Sequence, residues 1–414
     1  MQVAVIGGGV VGVCSAYFLA AAGHQVVVLE RYGNVAEEAS FANAGLVSPG
    51  LAGPIAAPGA PRRLIGWLSR PQAPVFIRPD VRPALWRWLR RWVDECQLDR
   101  FRVNKERMQR LAGYSQSVLA ALREHHALDY QQTRGILQLI RSPQELQLAG
   151  PLLDMLAQCG HPHRQVDPDA ARLIEPALSD STPLAAAIHF PNDESGNCAL
   201  FARQLRSICQ DLGVEFHFNS LVDNIAPAAN AVGFNIEGRS FSADAVVIAA
   251  GVHSAALLRG IGPALPLYPV NGFSATANIK NFDCAPLAAV FDDSYQLAIT
   301  RMGNRVRVAG TFELGKEDLR LSPPALRTLV KCGNDWFADA ANYNSASFWC
   351  GACAMLPEGV PLLGATAARN VFVNIAHGNH GWAMAPGSGK IIADLVSGRA
   401  PDIDLDGLTL ARYG

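Results

Sequence analysis

QVAVIGGGVVGVCSAYFLAAAGHQVVVLE, residues 2–30, decides the fold. Gln2 to Ile6 is an apolar run with the length of a buried strand. Gly7, Gly9 and Gly12 follow with GxGxxG spacing. Val13 to Ala22 reads as an alanine-rich helix stopped by Gly23, and Val26 to Leu29 as a second buried strand ending in Glu30. Together these make a βαβ unit of about 30 residues. The glycines serve three needs. Gly7 permits the tight turn, Gly9 lets backbone approach a pyrophosphate, and Gly12 allows helix-on-strand packing. The free N–H groups and the positive end of the helix dipole favour phosphate. Glu30 stands where a carboxylate accepts from a ribose hydroxyl, which disfavours a 2′-phosphate. The pattern indicates a dinucleotide and does not separate FAD from NAD.

The chain has 414 residues, enough for two domains. A formal charge of −1 argues against a general polyanion or nucleic-acid binder. No apolar run reaches the roughly 18 residues of a spanning helix. The first strand begins at once, which leaves no room for a secretory signal. Nine cysteines without a framework pattern fit a reducing compartment. Cys350 and Cys353 alone form CxxC; two packing thiols or a redox pair are the readings, and no metal is expected. The expected location is cytoplasmic.

Further along, EEASFANAGLVSPG (37–50) is small and polar enough to wrap a ligand. Residues 51–83, rich in Pro and Gly, read as a surface excursion. In ALWRWLRRWVDE, Trp86, Trp88 and Trp92 alternate with Arg87, Arg90 and Arg91. Such a helix suits peripheral contact with the inner face of a membrane, while Trp88 and Trp92, four apart, equally suit a core. Leu200 to Leu212 is an amphipathic helix, and AVVIAAG (245–251) a buried strand closing on small residues. Residues 266–348 alternate like a mostly antiparallel sheet. Val371 to Ile375 runs into HGNHGWAMAPGSGK (377–390) and a last helix, Ser388 to Val396. Dinucleotide-type segments thus occur at the start, near 200–252 and at the end. That interleaving favours a flavoprotein over an NAD dehydrogenase. The expected fold is α/β: a Rossmann-like FAD-binding domain from residues 1–60, 195–265 and 350–414, plus an α+β substrate domain from 61–194 and 266–349.

These residues bring a family into view. The chain resembles the flavin-dependent D-amino acid dehydrogenases, within the wider group of D-amino acid oxidase, glycine oxidase and sarcosine oxidase. The likeness runs nearly end to end, through the opening βαβ unit, ASFANAGLVSPG, FPNDESGNCALFARQL (190–205), ADAVVIAAGVHS, LYPVNGFSAT (267–276), Trp349 to Gly364, and HGNHGWAMAPGSGK. It implies FAD held by Gly7, Gly9, Val10, Val11, Gly12, Glu30, Arg31, Ser40, Asn43, Ala44, Gly45 and Leu46, with Val222, Ala250 and Gly251 on the adenine side. Gly378, Asn379, His380, Gly381 and Trp382 would close over the flavin ring. The implied reaction is hydride transfer from the substrate α-carbon to the flavin, then hydrolysis of the imino acid to a 2-oxo acid and ammonia. Electrons would pass to a quinone or other carrier.

The sequence departs from that family at two cations. The family's carboxylate-binding Arg-Pro is Cys353-Ala354 here, and the lysine of its YPVKG motif is Asn271. Arg301, in LAITRMGN, is the leading replacement, with Tyr268, His377 and His380 as further site residues. The two histidines are expected to titrate near neutral pH. Three functions stay open: oxidation of a D-amino acid or of a cyclic imino acid such as a D-proline derivative; oxidation of an amine or N-methyl amino acid by oxygen; and a flavin-binding subunit without its own amino acid site.

Overall fold

A computed structural model describes residues 1–68, 70–78, 82–315 and 318–413. The opening unit folds as its pattern dictates: strand Gln2–Ile6, helix Val10–Ala21, strand Gln25–Leu29. Gly7 carries φ +112°, outside the range of most L-residues, and a Cβ there would meet the Ala249 carbonyl at 2.4 Å. These strands lie in a six-stranded sheet ordered 362–365, 371–375, 245–248, 2–6, 25–29, 215–217. All neighbours are parallel except the antiparallel edge pair 362–365 and 371–375. Both faces are covered, so its strands are apolar almost throughout: Val3, Ala4 and Val5 are fully buried, as are Val246 and Val247. Strand pieces from the two ends and the middle of the chain therefore meet in one nucleotide-binding layer.

The second sheet has ten strands. Its main path runs 347–355, 268–278, 305–314, 297–302, 289–292, 133–140, 186–195, 46–47. Pairing is antiparallel except where 133–140 meets 289–292 and where 75–77 meets 305–314. One face packs on helix Pro323–Phe337 through Leu297, Ile299, Val306, Val308 and Trp336. The other face turns toward the nucleotide layer. A third, small antiparallel sheet is made by 222–227, 232–236 and 239–243, so among the described residues the chain is a mixed α/β protein of three sheets with an interleaved chain path.

Several boundaries move. Helix Leu98–His126 lies inside the span expected for the substrate domain, yet it packs Met108, Leu111 and Ala112 against Met384 and Ile391 of the carboxy-terminal helix. Strand Ser347–Met355 pairs into the ten-stranded sheet, although most of it was expected in the cofactor domain. The last helix begins at Gly381, ahead of the expected start at Ser388, because the turn Gly378–His380 leads straight into it. The excursion 51–83 contains helix Ala60–Leu68 and strand Val75–Ile77; residues 69 and 79–81 lie outside the described residues. Trp88 and Trp92 are core, with Trp88 Nε1 donating to the Met355 carbonyl at 3.2 Å. Cys350 and Cys353 are three apart on one strand and face opposite sides, Cys350 into the core against helix Pro323–Phe337 and Cys353 toward Trp88 and Phe312. A redox pair between them is excluded. No helix among the described residues is long and apolar enough to cross a membrane.

The carboxy-terminal helix Gly381–Val396 is wedged between two others. A Cβ on Gly389 would lie 2.7 Å from the main chain of Cys14, and one on Gly387 2.8 Å from Ser115. The Gly387 amide also donates to Ser115 Oγ at 3.0 Å. Gly389→Ala should therefore force the two helices apart and cost about 1–3 kcal/mol of unfolding free energy; urea denaturation monitored by far-ultraviolet circular dichroism measures it.

Candidate functional site

One large cavity of about 970 Å³ lies between the two larger sheets, large enough for a dinucleotide and a small substrate together. The glycine turn forms one end. Gly7, Gly9, Val10 and Val11 line it, while Gly12 does not: its Cα sits so close to the Gly7 carbonyl that a Cβ would overlap it at 1.9 Å. Gly9 caps helix Val10–Ala21 with extended geometry and no side chain. Ser40 supplies the missing cap, its Oγ accepting from the Val10 amide at 3.1 Å. Glu30 is 8% exposed and accepts from the Gly8 amide at 2.5 Å and the Tyr32 amide at 2.8 Å. Burial raises its carboxyl above the ordinary range, against the lowering effect of those two amides. Glu30 thus braces the turn as well as facing the cavity. Arg31 is held by Glu38 and by His253 Nε2 at 2.5 Å.

The opposite wall comes from Asn43, Ala44, Gly45 and Leu46. Asn43 Oδ1 accepts from the Gly45 amide at 3.1 Å, and Gly45 takes φ +74° while its carbonyl accepts from the Gly196 amide at 2.8 Å. Thr300 Oγ1 donates to the Ala44 carbonyl at 3.2 Å, and the buried Arg307 donates to that of Asn43 at 3.2 Å. Val222, Ala250 and Gly251 line the same cavity, as do Gly378, Asn379, His380, Gly381 and Trp382. Every residue expected at the cofactor except Gly12 therefore faces this one space.

Beside the Gly378–His380 turn, two buried polar atoms of cavity-lining residues have no protein partner among the described residues: Trp382 Nε1 and Asn374 Oδ1. Buried polar groups are rarely left so, and their orphaning marks a place shaped for a polar ligand. With the Cβ-free Gly9 at the helix mouth, the residues fit a flavin dinucleotide. Among the described residues no group of His, Cys, Asp or Glu could hold a metal ion.

Comparisons with known proteins agree with this geometry. A family model described as FAD-dependent oxidoreductase (DAO) matches residues 2–395. The chain belongs to that family. It is therefore an FAD-dependent oxidoreductase. It is 41% identical over 416 residues to D-amino acid dehydrogenase 1 of Mesorhizobium japonicum, covering 100% of both chains. It is 42% identical over 417 residues to D-amino acid dehydrogenase of Methylobacterium radiotolerans, again covering 100% of each. Glycine oxidase from Geobacillus kaustophilus shares the fold, with TM-score 0.78, 23% identity, and coverage of 100% of this chain and 99% of that one.

The four residues expected at the chemistry divide evenly. His377 and His380 line the cavity; Arg301 and Tyr268 do not. Arg301 points away because of strand alternation. Thr300 faces the Ala44 loop, so Arg301 shares the reverse face with Leu297 and Ile299. Its Nε donates to the Gly303 carbonyl at 3.2 Å, and its guanidinium lies 5.3 Å over the Phe282 ring. Tyr268 is 5% exposed in an apolar cluster with Leu85, Val270 and Met355, its ring 5.9 Å from Trp88. The histidines do not titrate near neutrality. Burial pushes His377 down to about 3, with Nε2 3.2 Å from Ser388 Oγ. Burial, aided by the charge on Lys105, pushes His380 down to about 4.

The positions of the two absent cations carry no charge. Cys353 faces the cavity with its thiol pushed up to about 11 by burial. Asn271 is fully buried and donates to the Asp318 carbonyl at 2.8 Å. Besides Arg31, three cations among the described residues line the cavity: Arg63 and Arg70, both exposed, and Lys105, 2% exposed. Lys105 Nζ donates to the carbonyls of Gly50, at 3.1 Å, and Ala52. Sequence reasoning missed it, although a signal exists: Phe101, Lys105, Met108 and Ala112 fall on one helical stripe, and a lysine among apolar residues there is out of place.

Gly9 tests the cofactor assignment. A Cβ at this position meets only Ser40 Oγ, at an ordinary 3.5 Å. Gly9→Ala should fold normally by circular dichroism yet bind FAD about tenfold or more weakly, since the methyl group occupies space the pyrophosphate needs. Flavin fluorescence titration of the apoprotein measures the affinity.

Proposed function

We propose that this chain is a D-amino acid dehydrogenase, removing two electrons and two protons from the Cα–N bond and passing the electrons to a quinone or protein carrier. The observation that carries the reading is Lys105, a buried cation on the wall of the flavin cavity. An ammonium has three N–H donors. Two go to Gly50 and Ala52, which leaves one for a ligand carboxylate. Lys105 thus takes the role that the sequence first suggested for Arg301. The two full-length relatives named D-amino acid dehydrogenase support the same activity.

FAD, when bound, supplies the two-electron acceptor. The protein supplies position and charge. Lys105 fixes the carboxylate, and the neutral imidazoles of His377 and His380 leave the site free of a competing positive charge. Small residues on the sheet, Ala298, Ala309 and Gly310, leave room for the reacting carbon.

A carrier in the membrane fits the outer surface. Exposed Ile65, Leu68 and Trp86 lie on helices Ala60–Leu68 and Pro83–Glu95, with exposed Arg62, Arg87, Arg90 and Arg91. Apolar and basic residues side by side suit an anionic bilayer surface. Helix Ala60–Leu68 also borders the cavity through Arg63 and Trp67, which puts that surface beside the site.

Anaerobic mixing of the yellow holoenzyme with single D-amino acids should bleach its flavin absorbance, with little effect from the L-enantiomers. Reoxidation should be faster with a short-chain quinone than with air. Bleaching by simple amines alone would overturn the assignment.

Lys105 predicts a pH dependence. Burial lowers its ammonium to about 7, with Asp193 acting against that shift. The cation binds carboxylate and the free amine does not, so kcat/KM should fall as pH rises through about 7. In Lys105→Met the KM should rise at least about tenfold, as expected for losing a charged hydrogen bond, and that alkaline limb should vanish. A limb that persists in the variant belongs to another group.

A further inference from the structure

The floor of the cavity ends in a wall of hydrogen-bond acceptors. Ala309, Ala298, Phe291 and Gln138 pair across four neighbouring strands in one register line, and all four line the cavity. Directly paired residues share a sheet face. The row therefore reads as two methyl groups, a ring and an amide. Gln138 is 3% exposed, and its Nε2 donates to Asp293 Oδ1 at 2.8 Å. Gln296 Nε2 donates to the same oxygen at 3.3 Å.

Acceptors are left over. Gln138 Oε1 is buried and has no partner among the described residues. None of them donates to Asp293 Oδ2 either. Beside them, Glu145 also lines the cavity and takes the Ser294 hydroxyl at 2.6 Å. Arg141, on the neighbouring strand end, is committed to Asp292 at 2.5 Å and Asp335 at 2.8 Å. Arg63 faces the same compartment from the exposed helix opposite, and its charge acts on Asp293 across the cavity.

We propose that this row and wall are the side-chain subsite of the enzyme, and that it selects D-amino acids whose side chain ends in an ammonium or guanidinium, received by Asp293 and Gln138. The inference rests on the D-amino acid reading given above. With Lys105 at the carboxylate, the aliphatic part of such a side chain lies over Ala298 and Ala309. Its terminal N–H groups then meet the Gln138 Oε1 and Asp293 Oδ2 acceptors. A neutral apolar side chain of the same length would bury both without donors, and sites built for hydrogen bonds reject such analogues strongly. Burial and the neighbouring Glu145 and Asp292 hold the Asp293 carboxyl above its ordinary range, while Gln138 and Arg63 pull it back; an arriving cation would stabilise the carboxylate further.

The experiment compares D-lysine and D-arginine with the neutral D-norleucine and the anionic D-glutamate in anaerobic reduction of the holoenzyme. Wild type should favour the two cationic substrates over D-norleucine by about tenfold or more in kcat/KM, a typical margin for one charged hydrogen bond. Asp293→Asn should lower kcat/KM for D-lysine at least about tenfold further than for D-norleucine, and Gln138→Met, which removes only the orphaned acceptor and the amide donor, should shift the same ratio in the same direction. If D-norleucine or D-glutamate is used as well as D-lysine by wild type, the subsite assignment is wrong while the dehydrogenase reading stands. If no amino acid reduces the flavin, both fail together. A variant that slows every substrate equally overturns the selectivity and leaves Asp293 a structural residue.

Discussion

The architecture depends on one close approach. Helix Gly381–Val396 lies against helix Val10–Ala21 through Gly389 and against helix Leu98–His126 through Gly387, with no space for a methyl group at either contact. Glycine at both points lets three helices from the two ends and the middle of the chain share one layer. The turn Gly378–His380, just before that helix, is then carried over the cavity opposite the glycine turn Gly7–Gly12. The same contact sets Lys105 and His380 on neighbouring parts of the wall. The cofactor site is thus a consequence of helix packing before it is a matter of ligand contacts.

Charge in the cavity is arranged by burial. Cys353 and Asn271, at the positions of the family's two cations, are neutral, and so are His377 and His380. Desolvation makes any lone charge there costly, so the buried ammonium on the wall is held by two carbonyls, and its proton is easily lost. The negative end is built the same way. Asp293 accepts from two side-chain amides, while Asp292 just behind it is fixed by Arg141 and Trp336. A buried ammonium and a carboxylate on the walls of one compartment suit a ligand that carries both signs.

Much of this was legible in the chain. The βαβ opening is local: strand, turn and helix lie within about 30 residues, and each glycine answers a steric demand of its own neighbours. The interleaved segments 245–251 and 371–382 were recognisable for the same reason. Arg301 shows the limit. In LAITRMGN both strand phases look acceptable until Leu297 and Ile299 are known to pack on helix Pro323–Phe337; Arg301 then falls on their face, away from the flavin. Lys105 and Gln138 were hidden differently, each reading as an ordinary member of a helix or strand.

The sequence by itself determined the nucleotide-binding layer, because that follows from short-range spacing of glycine and apolar residues, and its resemblance along many segments implied the family and the cofactor. Only the tertiary structure decided which charges reach the cavity. Cations and acceptors far apart in the chain become neighbours through sheet register and helix packing, and neither is encoded in any one stretch. A side chain's direction on a strand changes with every residue, so a shift of one position separates a substrate ligand from a surface arginine.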